Sequence, residues 1–179
     1  MAKGSIFIVG YMGSGKSTGG KRLAKTMGLP FIDTDAALTE SKGQEISALF
    51  QDLGEEGFRK AEQETLHQIV QSEERKVIAT GGGTPCYADN MAFMLEQGTV
   101  VYFQVDHAAL ILRLSMKRKN RPMLDGISDE ALPGFIQAHL AEREQHYKQA
   151  HITVDADALD GSRLASVGRM IDSRKGFNL

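Results

Sequence analysis

The chain has 179 residues, with 21 Lys and Arg against 23 Asp and Glu and a formal net charge of −2. This balance gives no basic excess that would favour a nucleic-acid partner, and the single cysteine, Cys86, excludes an internal disulfide. No segment resembles a signal peptide or a membrane span, so we expect a cytoplasmic protein with no membrane partner. The length predicts one domain, residues 1–179.

Strand-like apolar runs alternate with helical stretches along the chain. The predicted strands are 5–9, 30–33, 76–80, 99–105 and 151–154. The predicted helices are 16–27, 35–50 with a break near Gly43, 55–72, 88–97, 107–117, 129–149 and 162–173. Such alternation predicts an α/β fold with a parallel sheet and helices on both of its faces, and ligands beyond the carboxyl ends of the strands.

The segment GYMGSGKS, residues 10–17, matches the complete G-x-x-x-x-G-K-[ST] pattern and lies between a predicted strand and a predicted helix. Its glycines let backbone N–H groups converge on phosphate oxygens, and the helix N-terminus adds partial positive charge. Lys16 would bridge the β- and γ-phosphates. We therefore predict a nucleotide site formed by Gly13, Ser14, Gly15, Lys16, Ser17 and Thr18, rather than a glycine-rich turn without a ligand.

Phosphoryl transfer also requires oxygen ligands for a metal ion, and we expect Mg²⁺ bound by the Ser17 hydroxyl with Asp33 close by, through water. Asp33 and Asp35 place two carboxylates at the end of the second strand, which favours a cation or a polyhydroxyl ligand. Asp35 could also cap the following helix. Asp106 ends another strand in a Walker B-like position, but we favour a helix-capping role for it.

Further motifs follow this loop in order. Residues 31–35 read FIDTD, residues 57–62 contain F-R-x-x-E, a triple glycine occupies 81–83, and residues 121–124 read RPML. Arg143 comes just before Tyr147. Together these features resemble the shikimate kinase family over almost the whole chain. The resemblance implies a P-loop NTPase-type three-layer sandwich with a five-stranded parallel sheet and a mobile lid at about residues 118–128.

The resemblance implies ATP-dependent phosphorylation of the 3-hydroxyl of shikimate, a step of aromatic amino-acid biosynthesis. Shikimate carries one carboxylate, for which planar arginine donors are suited, and three hydroxyls. The expected substrate-binding residues are Asp35, Arg59, Gly81, Gly82, Gly83 and Arg143. Glu62 could touch substrate or support Arg59. The alternative for Arg59 is an exposed helical charge paired with Glu55 or Glu62, and for Arg143 a pairing with Glu142 or Glu144.

Three residues are expected to act on the transferred group: Lys16, Asp35 and Arg121. By resemblance, Arg121 belongs to the lid and binds nucleotide phosphate, and Arg113 packs on adenine, although a solvated helix face is the alternative for Arg113. Asp35 would orient the hydroxyl and accept its proton. The expected partners are shikimate and ATP, and we expect a monomer.

Two other functions remain open from the sequence. A gluconate kinase would share the phosphate loop and lid, but it would not need the paired aspartates, the F-R pair and the triple glycine together. A nucleotide-dependent switch protein would use Asp106 as its Walker B residue, but the chain contains no N-K-x-D motif for guanine. The sequence supports both alternatives less well than it supports a shikimate kinase.

Overall fold

A computed structural model describes residues 4–116 and 122–174. Its centre is a sheet of five parallel strands in the order β2-β3-β1-β4-β5. The strands are β1 (Ser5–Val9), β2 (Phe31–Asp33), β3 (Val77–Ala79), β4 (Gly98–Gln104) and β5 (Ile152–Asp155). All five residues of β1 are buried, which matches its central place in a sheet covered on both faces. The predicted α/β class and five-stranded parallel sheet are confirmed.

Seven helices flank this sheet in the described part of the chain. They are α1 (Lys16–Met27), α2 (Thr34–Lys42), α3 (Ile46–Val70), α4 (Asn90–Gln97), α5 (His107–Met116), α6 (Leu132–Tyr147) and α7 (Gly161–Arg174). Two single-turn 3₁₀ helices, Thr84–Cys86 and Pro122–Leu124, lie in the connections. No helix within residues 4–116 and 122–174 combines the length and apolar character needed to cross a membrane.

The predicted helix break at Gly43 is confirmed, because Gly43 ends α2 in the left-handed conformation with φ 65°. A second interruption lies at Gly54, whose φ of 66° and ψ of 176° kink α3. Helix α3 begins at Ile46, well before the predicted start at residue 55, and the other element ends agree with the predictions to within a few residues. Helix α4 begins at Asn90 rather than at residue 88, because the 3₁₀ turn Thr84–Cys86 occupies the chain before it.

Helix α1 packs tightly on the sheet, and this explains two glycines that are poor helix formers. A Cβ atom on Gly19 would lie 2.6 Å from a ring carbon of Phe103, and one on Gly20 would lie 3.0 Å from a ring carbon of Phe31. Phe103 is completely buried, so its ring has little room to move. These glycines therefore allow a close contact between α1 and the sheet.

The parallel arrangement places three functional segments at one edge of the sheet. The phosphate loop follows β1, Asp33 ends β2, and the triple glycine follows β3 after Thr80. Because β1, β2 and β3 run in the same direction, their carboxyl ends meet at this edge. Beside it, a small apolar cluster of α2 and α3 contains Leu38, Leu49, Phe58 and Ala61, with Ile46 and Phe50 packed against it.

Candidate active site

The phosphate loop has the backbone shape that its glycines predict. Gly10, Gly13 and Gly15 have φ values of 146°, 80° and 82°, which L-amino acids with side chains rarely adopt. Gly15 is the N-cap of α1, so the helix N-terminus points into the loop. The Lys16 ammonium donates hydrogen bonds of 2.9 Å to the carbonyl oxygens of Gly10 and Tyr11. The loop therefore holds a buried cation at the position where phosphate would bind.

A cavity of about 450 Å³ opens in front of this loop. Five of the six phosphate-loop residues predicted to bind the nucleotide line it, as does Arg113, and the buried Ser14 does not. The lining consists of Met12, Gly13, Gly15, Lys16, Ser17, Thr18, Asp33, Asp35, Thr80, Gly81, Gly82, Arg113 and Met116. Met12, Thr80 and Met116 were not predicted, since Met12 occupies a variable position of the loop pattern and the other two lie outside the motifs.

Arg113 contributes to the wall of this cavity rather than to a fully solvated face. Its guanidinium donates to the Asp157 carboxylate at 2.9 Å and to the Gly13 carbonyl at 3.3 Å. Asp106 accepts a hydrogen bond of 2.9 Å from the Ala108 N–H at the start of α5, so the predicted helix-capping role of Asp106 is confirmed.

Ser17 and Asp33 form an oxygen-donor pair at one end of the cavity. The Ser17 hydroxyl donates to Asp33 Oδ2 at 2.5 Å. Asp33 Oδ1 accepts from the N–H groups of Asp35 and Ala36 at 3.0 and 3.4 Å, so Asp33, and not Asp35, caps α2. A hydroxyl and a carboxylate fit a hard divalent cation that takes its remaining ligands from phosphate and water.

Asp35 lies where the nucleotide cavity meets a second cavity. Desolvation, together with the neighbouring carboxylates of Glu62 and Asp33, raises the pKa of Asp35 from 3.8 to about 6, although Lys16 and Arg59 act in the opposite direction. At neutral pH the group is ionised but can accept a proton much more readily than an ordinary aspartate. It has the properties of a general base placed between two binding sites.

The second cavity, of about 110 Å³, combines an apolar wall with charged groups. It is lined by Met12, Asp35, Ile46, Phe50, Phe58, Arg59, Glu62, Gly81, Gly82, Gly83, Met123 and Arg143. Every residue predicted to bind the small substrate lines this cavity. Ile46, Phe50 and Phe58 come from the small apolar cluster, and they provide a surface on which a ring can pack.

Arg59 is held in this cavity by buried partners. It is 9% exposed, and its guanidinium lies 2.6 Å from Glu62 Oε2 and 3.7 Å from Glu55 Oε1. Glu62 is itself 3% exposed, and its other oxygen accepts from the Thr84 hydroxyl at 2.9 Å. Arg59 is thus not the exposed helical charge of the alternative interpretation. Glu62 supports it, while also forming part of the cavity wall.

The triple glycine leaves room for these charged groups. A Cβ atom on Gly81 would overlap Glu62 Oε1 and lie 3.0 Å from Asp35 Oδ1, and one on Gly83 would overlap the Arg59 guanidinium. A Cβ atom on Gly82 would lie 3.2 Å from the Met12 nitrogen of the phosphate loop. Any larger residue here would displace a charged group or the neighbouring loop.

Arg143 reaches the second cavity from α6. Of its two flanking glutamates, Glu144 instead pairs with Lys148 at 2.9 Å and accepts from Gln104 at 3.3 Å. Arg59 and Arg143 line the same cavity, so two guanidinium groups are available to one anionic ligand. Their assignment to the substrate carboxylate stays a prediction.

Several hydrogen bonds in the site involve residues that no sequence motif predicted. The Thr34 hydroxyl accepts from the Gly81 N–H at 3.1 Å, and the Tyr147 hydroxyl donates to the Gly82 carbonyl at 2.6 Å. Arg121 lies outside the described residues, as does the first part of the predicted lid. Of the described remainder, Met123 lines the second cavity and Leu124 is buried.

Comparison with known proteins identifies relatives over most of the chain. The family model described as shikimate kinase matches residues 12–169. A shikimate kinase from Parabacteroides distasonis is 44% identical over 154 residues, covering 86% of this chain and 88% of that protein. The crystal structure of a shikimate kinase from Bacteroides thetaiotaomicron superposes with a TM-score of 0.84 at 38% identity, covering 97% of this chain and 98% of the other.

A shikimate kinase from Acinetobacter baumannii, solved in complex with shikimate, superposes with a TM-score of 0.82 at 30% identity. That match covers 98% of this chain and 94% of the other. The matches span nearly the whole chain, including the phosphate loop and both cavities. The chain therefore belongs to the shikimate kinase family.

Proposed function

We propose that this chain transfers the γ-phosphoryl group of ATP to the 3-hydroxyl of shikimate, giving shikimate 3-phosphate and ADP. The observation that carries the proposal is the junction of the two cavities at Asp35, Gly81 and Gly82. Lys16 and the phosphate loop lie on one side of this junction, and Arg59 and Arg143 lie on the other. A phosphate donor and an anionic acceptor bound in these cavities would meet at the Asp35 carboxylate.

On the acceptor side, Arg59 and Arg143 bind the carboxylate of shikimate, and Phe50 and Phe58 pack against its ring. Asp35 accepts a hydrogen bond from the hydroxyl that becomes phosphorylated and so orients its oxygen towards the γ-phosphorus. The N–H groups of Gly82 and Gly83 bind the other hydroxyls, since the Gly81 N–H already donates to the Thr34 hydroxyl. This arrangement supplies orientation, which makes a large contribution in phosphoryl transfer.

In the transfer step the hydroxyl oxygen forms a bond to the γ-phosphorus while the bond to the β–γ bridging oxygen breaks. The hydroxyl proton passes to the Asp35 carboxylate, and ADP retains the bridging oxygen. Lys16 stabilises the charge that develops on the phosphoryl oxygens. Arg121 is proposed to do the same from the lid, where its place rests on the sequence resemblance alone.

Ser17 and Asp33 are the residues that would hold Mg²⁺, which neutralises phosphate charge when bound. Their hydroxyl and carboxylate oxygens are the hard donors that this ion prefers, and this chemistry supports magnesium as the metal. We further propose that the chain acts as a monomer in the cytoplasm, where ATP is available, and that residues 118–128 close over the bound substrates.

The test is ADP release from MgATP with shikimate, with gluconate and with no acceptor. We expect shikimate to accelerate ADP release strongly and gluconate to leave it at the rate without acceptor. Acceleration by gluconate instead would support a gluconate kinase. An equal rate in all three reactions would overturn the kinase assignment and favour a nucleotide-dependent switch.

A further inference from the structure

Helix α6 presents three polar side chains to the active site from one face. His139, Arg143 and Tyr147 are spaced four residues apart, so they lie above one another over two helical turns, about 12 Å. Arg143 lines the second cavity. The outer two side chains each contact a different loop of the site.

At one end of this face, Tyr147 is bound to the triple glycine. Its hydroxyl is fully buried and donates to the Gly82 carbonyl at 2.6 Å, across 65 positions of sequence. Burial raises the pKa of Tyr147, so the hydroxyl keeps its proton and remains a donor. The nearby Arg143 guanidinium partly opposes this rise in the pKa of Tyr147. Tyr147 therefore fixes Gly82 to α6, the helix that carries Arg143.

At the other end, His139 is bound to the phosphate loop. The Tyr11 hydroxyl and His139 Nδ1 are 2.8 Å apart, and the two rings meet edge to face with centroids 5.5 Å apart. Tyr11 belongs to the loop, and its carbonyl accepts from Lys16 and from the Ser14 N–H. This contact fixes the start of the phosphate loop to α6.

We propose that His139 and Tyr147 are positioning residues. His139 holds the phosphate loop against α6, Tyr147 holds the triple glycine against α6, and together they fix both loops relative to Arg143. The proposal rests on the proposed function. Without the Tyr147 hydroxyl, the carbonyl of the half-buried Gly82 loses this donor, and Arg143 is a cation close to this residue, with its Nη1 3.7 Å from the Cβ position of Gly82. Arg143 would then be drawn from the substrate carboxylate to the loop.

The two contacts act on different substrates, and steady-state kinetics can separate them. Tyr147→Phe removes one oxygen atom and should raise the KM for shikimate about tenfold, with less than about a twofold change in the KM for MgATP. With shikimate methyl ester, whose carboxylate is neutralised, the variant and the wild type should differ by less than about twofold.

His139→Leu should raise the KM for MgATP about fivefold and leave the KM for shikimate within about twofold. His139→Asn should keep the KM for MgATP at the wild-type value, because an asparagine oxygen can take the acceptor position of Nδ1. Tyr102→Phe is the matched control: it removes a buried hydroxyl from the ring beside Tyr147, with centroids 5.3 Å apart, and should leave both KM values unchanged.

The inference is overturned if Tyr147→Phe keeps the wild-type KM for shikimate, or if it weakens the ester and shikimate equally. It is also overturned if His139→Asn and His139→Leu behave alike. Should Tyr147→Phe fail to fold, the comparison of His139→Asn with His139→Leu still tests the inference. A wild-type enzyme without shikimate-dependent ADP release would instead contradict the proposed function itself.

Discussion

The ionisation of Asp35 connects one side chain to the rate of the proposed reaction. Its pKa of about 6 means that the carboxyl group is protonated below this pH and ionised above it. Only the ionised form accepts the proton of the substrate hydroxyl, so kcat/KM for shikimate should rise with pH through about 6 and level off above it.

Asp35→Asn should be slow at every pH and lack this acid limb, because an amide does not accept the proton. The measurement is kcat/KM for shikimate between pH 5 and 8 at saturating MgATP, for the wild type and the variant. A wild-type profile that is flat across pH 6 would show that Asp35 is not the general base.

Arg59 should grip a carboxylate through its planar, forked donors. Arg59→Lys keeps the charge but loses the fork, and we expect the KM for shikimate to rise roughly 10–100-fold with little change for MgATP. Arg75→Lys is the matched control, since Arg75 pairs with Asp172 at 3.0 Å away from both cavities. A wild-type KM for Arg59→Lys would mean that Arg59 only supports α3.

Which site residues the sequence could predict depends on whether a local motif contains them. The phosphate loop is one continuous segment, so its lining residues follow from the pattern G-x-x-x-x-G-K-[ST]. The Tyr147–Gly82 contact joins residues 65 positions apart, and no local spacing encodes it. The support of Arg59 by Glu62 remained open because helical spacing fits both possibilities, and only the buried geometry decides between them.

Helix α1 contains Gly19, where replacement by alanine should destabilise the protein although alanine favours helices. Alanine is about 1 kcal/mol better than glycine inside a helix, but a Cβ atom on Gly19 would lie 2.6 Å from the buried Phe103 ring. We expect Gly19→Ala to lower the free energy of unfolding, because the overlap with a packed ring outweighs helix propensity.

Gly134 in α6 is the matched control, since nothing lies within 4 Å of its Cβ position. Gly134→Ala should raise the free energy of unfolding by up to about 1 kcal/mol. Urea denaturation of both variants is the measurement. If Gly19→Ala were stabilised as much as Gly134→Ala, the close contact between α1 and the sheet would be contradicted.

Among the helices, the existence of each element was easier to predict than its ends. Apolar periodicity identified α1 at its observed bounds, Lys16–Met27. The predicted helices 35–50 and 55–72 left a gap that contains Gly54, but the structure has one helix, Ile46–Val70, that kinks there, since a single glycine is compatible with a continuous helix, a kink or a stop. The short 3₁₀ turn at Thr84–Cys86 was also missed, and tertiary hydrogen bonds hold it: the Thr84 carbonyl accepts from Asn90 at 2.9 Å.

The stability of the complete fold should depend on pH through His139. Desolvation, together with Arg143 and Arg59, lowers the pKa of His139 from 6.5 to about 4. Between these values the unfolded chain binds the proton more readily, so this contribution to stability is present above about pH 6.5 and is lost as the pH falls towards 4.

Other groups also titrate in this range, and a raised pKa such as that of Asp35 acts in the opposite direction. The prediction is therefore a difference: His139→Leu should lose less stability than the wild type when the pH is lowered from 7 to 5. Urea denaturation at both pH values measures it. A constant gap between wild type and variant would contradict a neutral, desolvated His139.

The order of the strands in the sheet could not be predicted from the sequence. Alternating strands and helices predicted a parallel sheet, but β3 lies between β2 and β1, and this order follows from packing between distant segments. The location of the site at the carboxyl ends of the strands needed only the parallel direction. The position of the chemistry was therefore predictable before the neighbours of each strand were known.

The most direct test of the account is identification of the phosphorylated product. Shikimate and MgATP are incubated with the wild type, with Lys16→Ala and with Lys21→Ala, an exposed lysine on the same helix that serves as control. Proton-coupled ³¹P NMR should show phosphate on the 3-oxygen of shikimate for the wild type and Lys21→Ala, and at least about a hundredfold less for Lys16→Ala. No phosphorylated shikimate from the wild type, or equal yields from Lys16→Ala, would contradict the account.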